Sequence, residues 1–168
     1  MDELQALFRA AMREVAAPVS VVTAYADGEP IGATVSAFAS LSMEPPMLLV
    51  SLHRGARLLG VLAPGTAFGV NVLTTSQAEL AELFATRGAD KFAGVDWALD
   101  HGAPRLKGCA SWVGLTVAEM VLGGDHVVVL GEVTSADADP ESDPMVYRAS
   151  VYGGHRPILP GRGPDERL

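Results

Sequence analysis

The stretch that decides the fold is residues 32–52, GATVSAFASLSMEPPMLLVSL. Thr34, Ser36, Ser40 and Ser42 stand between two apolar runs, and Pro45-Pro46 separates the second run from what precedes it. Strand alternation puts Thr34 and Ser36 on one face and Val35 and Ala37 on the other. Beyond Phe38 the pattern breaks into a turn, and MLLVSL then reads as a short strand buried on both faces. Each proline ring locks φ and removes a donor, so the pair fixes the connection. Hydroxyls in such a place can satisfy strand ends and an ST-turn, or can bond the polar edge of a ligand.

Outward from this stretch, the chain reads as strands with helices at the edge. Residues 2–15 form an amphipathic helix capped by Asp2, with Leu4, Leu7, Phe8, Ala11, Met12 and Val15 at three- and four-residue steps, closed by Pro18. VSVVTAYADGEPIGATVSAF is a hairpin about Asp27-Gly28. GARLLGVLA predicts a brief helix and AFGVNVLT a strand. Ser76 and Glu79 offer a capping box for a second helix that buries Leu80, Leu83 and Phe84 and ends at Gly88. Residues 89–108 read as an irregular surface loop. Two long strands joined by Gly123-Gly124-Asp125 follow, then one strand near 145–152.

Six or seven strands, mostly in hairpins, predict a mainly β chain with peripheral helices, an antiparallel barrel closed or nearly so. One domain over 1–155 is expected, with a flexible or partner-draped tail over 156–168. The 168 residues suffice to bury about two-thirds of the unfolded surface.

The composition excludes several functions. A net charge of −8 argues against general nucleic-acid or anionic-membrane binding. A single cysteine, Cys109, rules out an internal disulfide, and with four scattered histidines it leaves no zinc-site pattern, so no metal is expected. No dinucleotide fingerprint and no Walker-type loop follows a strand. No signal peptide or membrane-spanning run is read, and the expected setting is cytoplasmic. Trp97 and Trp112 read as packing residues, and Cys109 has no general-base neighbour in sequence.

The ordered set GATVSAFASLSMEPPMLLVSL, FGVNVLTTSQAELAELFA, DKFAGV, PRLKGCASWVGLTVAEMVLGGDHVVVLGEV and PMVYRASVYGG resembles the flavin reductase-like family, over about residues 8–154. That family consists of small FMN-binding split barrels, often the reductase partners of two-component flavin monooxygenases. The resemblance implies that Thr34, Val35, Ser36 and Ala37 line a flavin, with Ala37 where relatives often carry a second serine. It implies that Ser40, Leu41 and Ser42 continue the wall and that Ser51 and Leu52 approach from the other side. Arg54, Arg57 and Lys91 become candidates for the phosphate, with Phe84 and Phe92 beside it. His126, in Gly-Asp-His, becomes the candidate catalytic and nicotinamide contact, with Tyr147, Arg148 and Tyr152 shaping that site.

The implied reaction is hydride transfer from NADH or NADPH to FMN or FAD, which needs shape and donors rather than a triad or a metal. A homodimer and a monooxygenase receiving reduced flavin are the implied partners. Two other readings stay open at this point: an FMN-binding split barrel that retains its flavin for another role, and a small interaction domain whose pocket has lost its ligand.

Overall fold

The computed structural model describes residues 2–88 and 90–158. Met1, Ala89 and most of the expected tail (159–168) lie outside the described residues. Helix α1 (Glu3–Arg13) starts at Asp2, whose carboxylate accepts from the Gln5 backbone while the Gln5 side chain accepts from the Asp2 N–H. Strand β1 (Ala17–Pro18) is short; β2 (Ser20–Ala26) and β3 (Glu29–Val35) form the expected hairpin. Asp27 and Gly28 both carry positive φ, as a two-residue turn matched to strand twist requires.

Ser36 and Ala37 carry the chain into β4 (Phe38–Met43), which pairs back on β5 (Pro46–His53). A 3-10 turn at Leu59–Val61 stands where the brief helix is expected. Strand β6 (Ala67–Val72) precedes α2 (Ala78–Ala85). The capping box ahead of α2 uses Thr74 and Gln77 rather than Ser76 and Glu79, because the chain first winds a 3-10 turn over Thr75–Gln77.

The segment 89–108 is not an irregular loop throughout. It contains the hairpin β7 (Trp97–Asp100) and β8 (Ala103–Leu106), turned at His101-Gly102 with positive φ at both. Strands β9 (Ser111–Gly123) and β10 (His126–Ala138) are the expected long pair. The last strand is in fact two, β11 (Met145–Arg148) and β12 (Val151–Gly154), turned at Ala149-Ser150.

Seven strands make one antiparallel sheet in the order β3-β2-β6-β9-β10-β5-β4. Its two edge strands are consecutive in the chain, so the sheet rolls into a barrel split between β3 and β4, with Ser36-Ala37 bridging the split. The interior holds Val22, Ile31, Val50, Leu52, Phe68, Leu115 and Val129 among others, all at one parity of their strands.

A second core lies outside the barrel wall. There α2 and the segment from Phe92 to Leu106 cover β2 and β6, burying Val21, Leu73, Phe84, Phe92 and Leu106. Hence β2 is buried on both faces, and its outward Thr23 needs partners: its hydroxyl donates to the Pro104 carbonyl at 2.6 Å, beside the Asn71 amide. MLLVSL, by contrast, is buried on one face only. Leu48, Val50 and Leu52 point inward, while Met47, Leu49 and Ser51 are half-exposed.

The apolar stripe of α1 is also uncovered: Leu4, Leu7, Phe8 and Met12 are all exposed, as is Val15 just beyond the helix. Among the described residues no helix is long and apolar enough to cross a membrane.

Candidate functional site

The split in the barrel gathers most of the residues singled out from sequence. At its edge the Ser51 N–H donates to the Ala37 carbonyl at 2.8 Å, extending the β4–β5 pairing onto the bridge between β3 and β4. Ser36 and Ala37 are exposed, and Ser51 is half-exposed beside them. Among the described residues the hydroxyls of Ser36, Ser40 and Ser51 make no hydrogen bond within the chain, whereas two other hydroxyls are engaged. Thr34 donates to the Ala81 carbonyl at 2.6 Å, pinning α2 to β3. Ser42 accepts from the Glu44 N–H at 3.2 Å, the local turn role. Val35 and Leu52 point into the barrel core, so what they offer outside it is backbone. Leu41 is exposed at a bulge in β4.

Beside the split, α2 is held tightly against β3. A Cβ on Gly32 would sit 2.7 Å from the Phe84 ring and 3.2 Å from that of Phe92, so only glycine admits both. Phe84 and Phe92 are buried and meet edge to face, 5.0 Å between centroids. Over them Lys91 donates through Nζ to the carbonyls of Phe84 at 2.7 Å and Gly32 at 3.3 Å. Partial burial, and then the positive charge of Arg57, hold the Lys91 pKa below its ordinary value. Among the described residues neither cation is in an ion pair with a carboxylate. Two cations brought together from 34 positions apart, without an acid between them, form a place for an anion. Arg54 is exposed at the end of β5, with its N–H on the Asp125 carbonyl.

Two strand residues further along β5 the site acquires imidazoles. His126 opens β10 and pairs in register with His53, the last residue of β5. The rings meet at 90° with centroids 5.4 Å apart. His126 donates its Nδ1–H to the Asp125 carboxylate at 2.7 Å, which leaves Nε2 free and holds the Asp125 carboxyl below the usual range. His53 was given no role from sequence, because only the pairing of β10 with β5 reveals it. Asp125 and Gly32 were likewise visible only as turn and strand residues.

The remaining candidates belong to the three-stranded sheet β1-β11-β12. Tyr147 and Tyr152 pack on each other at 5.2 Å. Arg148 is turned onto α1, donating to both the carboxylate and the backbone carbonyl of Glu14.

A cavity of about 480 Å³ lies elsewhere, under the β7–β8 hairpin, lined by Trp97, Arg105, Cys109, Trp112 and Asp137. Its charged groups already satisfy one another: Arg105 donates to Asp100 and Asp137, and Lys107 faces Asp96. Burial pushes the Cys109 thiol up to about 11, so no thiolate is available there at neutral pH. Trp112 is buried against Gly69 and serves packing. Volume therefore does not mark the site; cations without a carboxylate partner do.

Comparison with known proteins shows the family. The Flavin reductase like domain matches residues 12–155. The chain belongs to the flavin reductase-like family. It is 42% identical over 145 residues to the actinorhodin polyketide dimerase of Streptomyces coelicolor, covering 85% of this chain and 82% of that protein. It is 33% identical over 153 residues to the flavin-dependent monooxygenase reductase subunit HsaB of Mycobacterium tuberculosis, covering 89% and 82%. Among solved structures it is similar to the Streptomyces globisporus NADH:FAD oxidoreductase SgcE6, determined with NAD and FAD fragments, at a TM-score of 0.84 and 30% identity, covering 93% and 95%.

A flavin phosphate suits the residues present. Lys91 retains an N–H beyond its two carbonyl bonds, and an anion between it and Arg57 would relieve their mutual repulsion. The uncommitted hydroxyls of Ser36 and Ser51 stand on the two sides of the split.

Proposed function

We propose that the protein is an NAD(P)H:flavin oxidoreductase that uses NADH or NADPH to reduce FMN or FAD and supplies the reduced flavin to a separate monooxygenase. The observation that carries this reading is Lys91, held on the Gly32 carbonyl of β3 with the Arg57 charge acting on it and no carboxylate paired to either. Flavin, when bound, supplies the electron-accepting ring, and the protein supplies binding and alignment.

In this reading Lys91 and Arg57 hold the phosphate. Ser36, Ser51 and the backbone at Thr34, Val35, Ala37 and Leu52 fix the ring and ribityl chain, with Ser40, Leu41 and Ser42 as the outer wall and Arg54 at its end. Phe84 and Phe92 set the floor on which Lys91 rests. His126 presents Nε2 to the nicotinamide carboxamide, with its other nitrogen fixed by Asp125. Tyr147 and Tyr152 bound the far side; Arg148 acts there by holding α1.

The reading includes a cytoplasmic homodimer. Four exposed apolar side chains on α1 and Val15 just beyond it, together with the half-exposed face of β5, are surface that a second copy would cover.

The test is to follow NADH and NADPH absorbance with purified protein, with and without added FMN, FAD or riboflavin. Sustained oxidation only when free flavin is supplied supports the reading. A yellow protein reduced once and then indifferent to added flavin would replace it with the retained-flavin alternative.

A further inference from the structure

We propose that His53 is a positioning residue that sets the orientation of His126, and through it the affinity for the nicotinamide; this rests on the reading of His126 just given. The two imidazoles come from strands more than 70 positions apart and are direct register partners at the ends of β5 and β10. His126 is 42% exposed, so its neighbours must restrict its ring rotation. Asp125 fixes one nitrogen, which still leaves the ring free to swing about that contact. The perpendicular ring of His53, 5.4 Å away, blocks the swing.

His53 is itself anchored. The Gly55 N–H donates to its Nδ1 at 3.0 Å, so that nitrogen carries no proton and Nε2 does. The Arg54 N–H donates to the Asp125 carbonyl at 2.9 Å and ties the strand end to the β9–β10 turn. The two histidines thus hold opposite tautomers. That of His126 leaves Nε2 as an acceptor, as a carboxamide N–H requires. His53 need not touch the dinucleotide to matter.

Two substitutions separate the two things His53 does. His53→Asn keeps an acceptor for Gly55 and removes the ring; His53→Phe keeps the ring and loses the acceptor. Steady-state turnover with NADH varied at saturating flavin, and flavin binding by fluorescence titration, read them out.

The proposal expects His53→Asn to raise KM for NADH about threefold to tenfold. kcat should stay within about twofold, flavin affinity should not change, and His53→Phe should remain near wild type. In a His126→Ala background His53→Asn should add nothing. The side chain is exposed, and a melting curve for each variant tests that it is folded.

Unchanged KM in His53→Asn, or an equal loss when His126 is already alanine, overturns the positioning role while leaving the oxidoreductase reading intact. A wild-type protein that does not oxidise NADH or NADPH with any flavin overturns both.

Discussion

The Ser51 N–H donates to the Ala37 carbonyl at 2.8 Å, one step beyond the Phe38–Val50 pair that joins β4 to β5. This bond draws the end of β5 against the β3–β4 bridge, beside the exposed residues Ser36 and Ala37. Lys91 rests on the Gly32 carbonyl of β3, the strand that leads into this bridge, and the Arg57 charge acts on it.

Lys91→Ala and Arg57→Ala should each weaken FMN binding by about 10- to 100-fold, the range for a lost charge-assisted bond. Riboflavin, which lacks the phosphate, should bind both variants as it binds wild type. Fluorescence titration with the two flavins reads the difference. Equal losses for FMN and riboflavin would place the phosphate elsewhere.

The second expectation is a pH dependence. The folded-state pKa of Lys91 lies below its ordinary value of 10.5, so the ammonium discharges at a lower pH than a free lysine would. A phosphate prefers the charged form, so FMN affinity should be full below the lowered pKa and fall as pH rises through it. The stability linkage has the opposite sign: the unfolded chain holds this proton more tightly, so the Lys91 contribution favours folding as pH rises through the same window. FMN titrations across alkaline pH, with riboflavin as control, check the binding limb. A flat FMN profile would contradict it.

Gly69 tests the packing behind the site. A Cβ there would be driven into the ring of Trp112, which is buried and would have to shift toward the neighbouring cavity. Gly69→Ala should cost about 1–3 kcal/mol, and since a chain of this size moves about 2–4 °C per kcal/mol, the melting temperature should fall measurably. An unchanged melt would mean that Trp112 moves freely.

The exposed stripe on α1 tests assembly. Phe8→Lys and Leu4→Lys place charge in the centre of that stripe without touching a buried residue of the monomer. Light scattering should report a dimer for wild type and a monomer for the pair of substitutions. A dimer that survives both would move the contact to the open face of β5.

Local signals were legible wherever the residue type itself enforces the geometry. Asp2 with Gln5 caps α1, and Asp27-Gly28 turns the first hairpin, because both act within four residues. The β7–β8 turn at His101-Gly102 was hidden by Pro104 in the returning strand, which reads as a breaker yet lies on a two-stranded edge. The final turn uses Ala149 and Ser150 at positive φ, residues that carry no turn signature. Ahead of α2, two overlapping capping patterns compete, and only the observed 3-10 turn selects Thr74 with Gln77.

Within the site, the hydroxyl cluster could be read because its residues are contiguous. The meeting of His53 with His126, and of Lys91 with Arg57, depends on strand pairing and on packing of distant segments, which no local pattern encodes. Thr34 shows the reverse case: its hydroxyl stands in the hydroxyl-rich stretch, yet its proton is spent on holding α2 in place.

The most direct measurement is a crystal structure of the protein soaked with FMN. The account predicts an isoalloxazine in the split between Ser36 and Ser51, with its phosphate against Lys91 and Arg57. Ordered flavin in the cavity beside Trp112 and Asp137, with the split closed by the protein's own side chains, would contradict it.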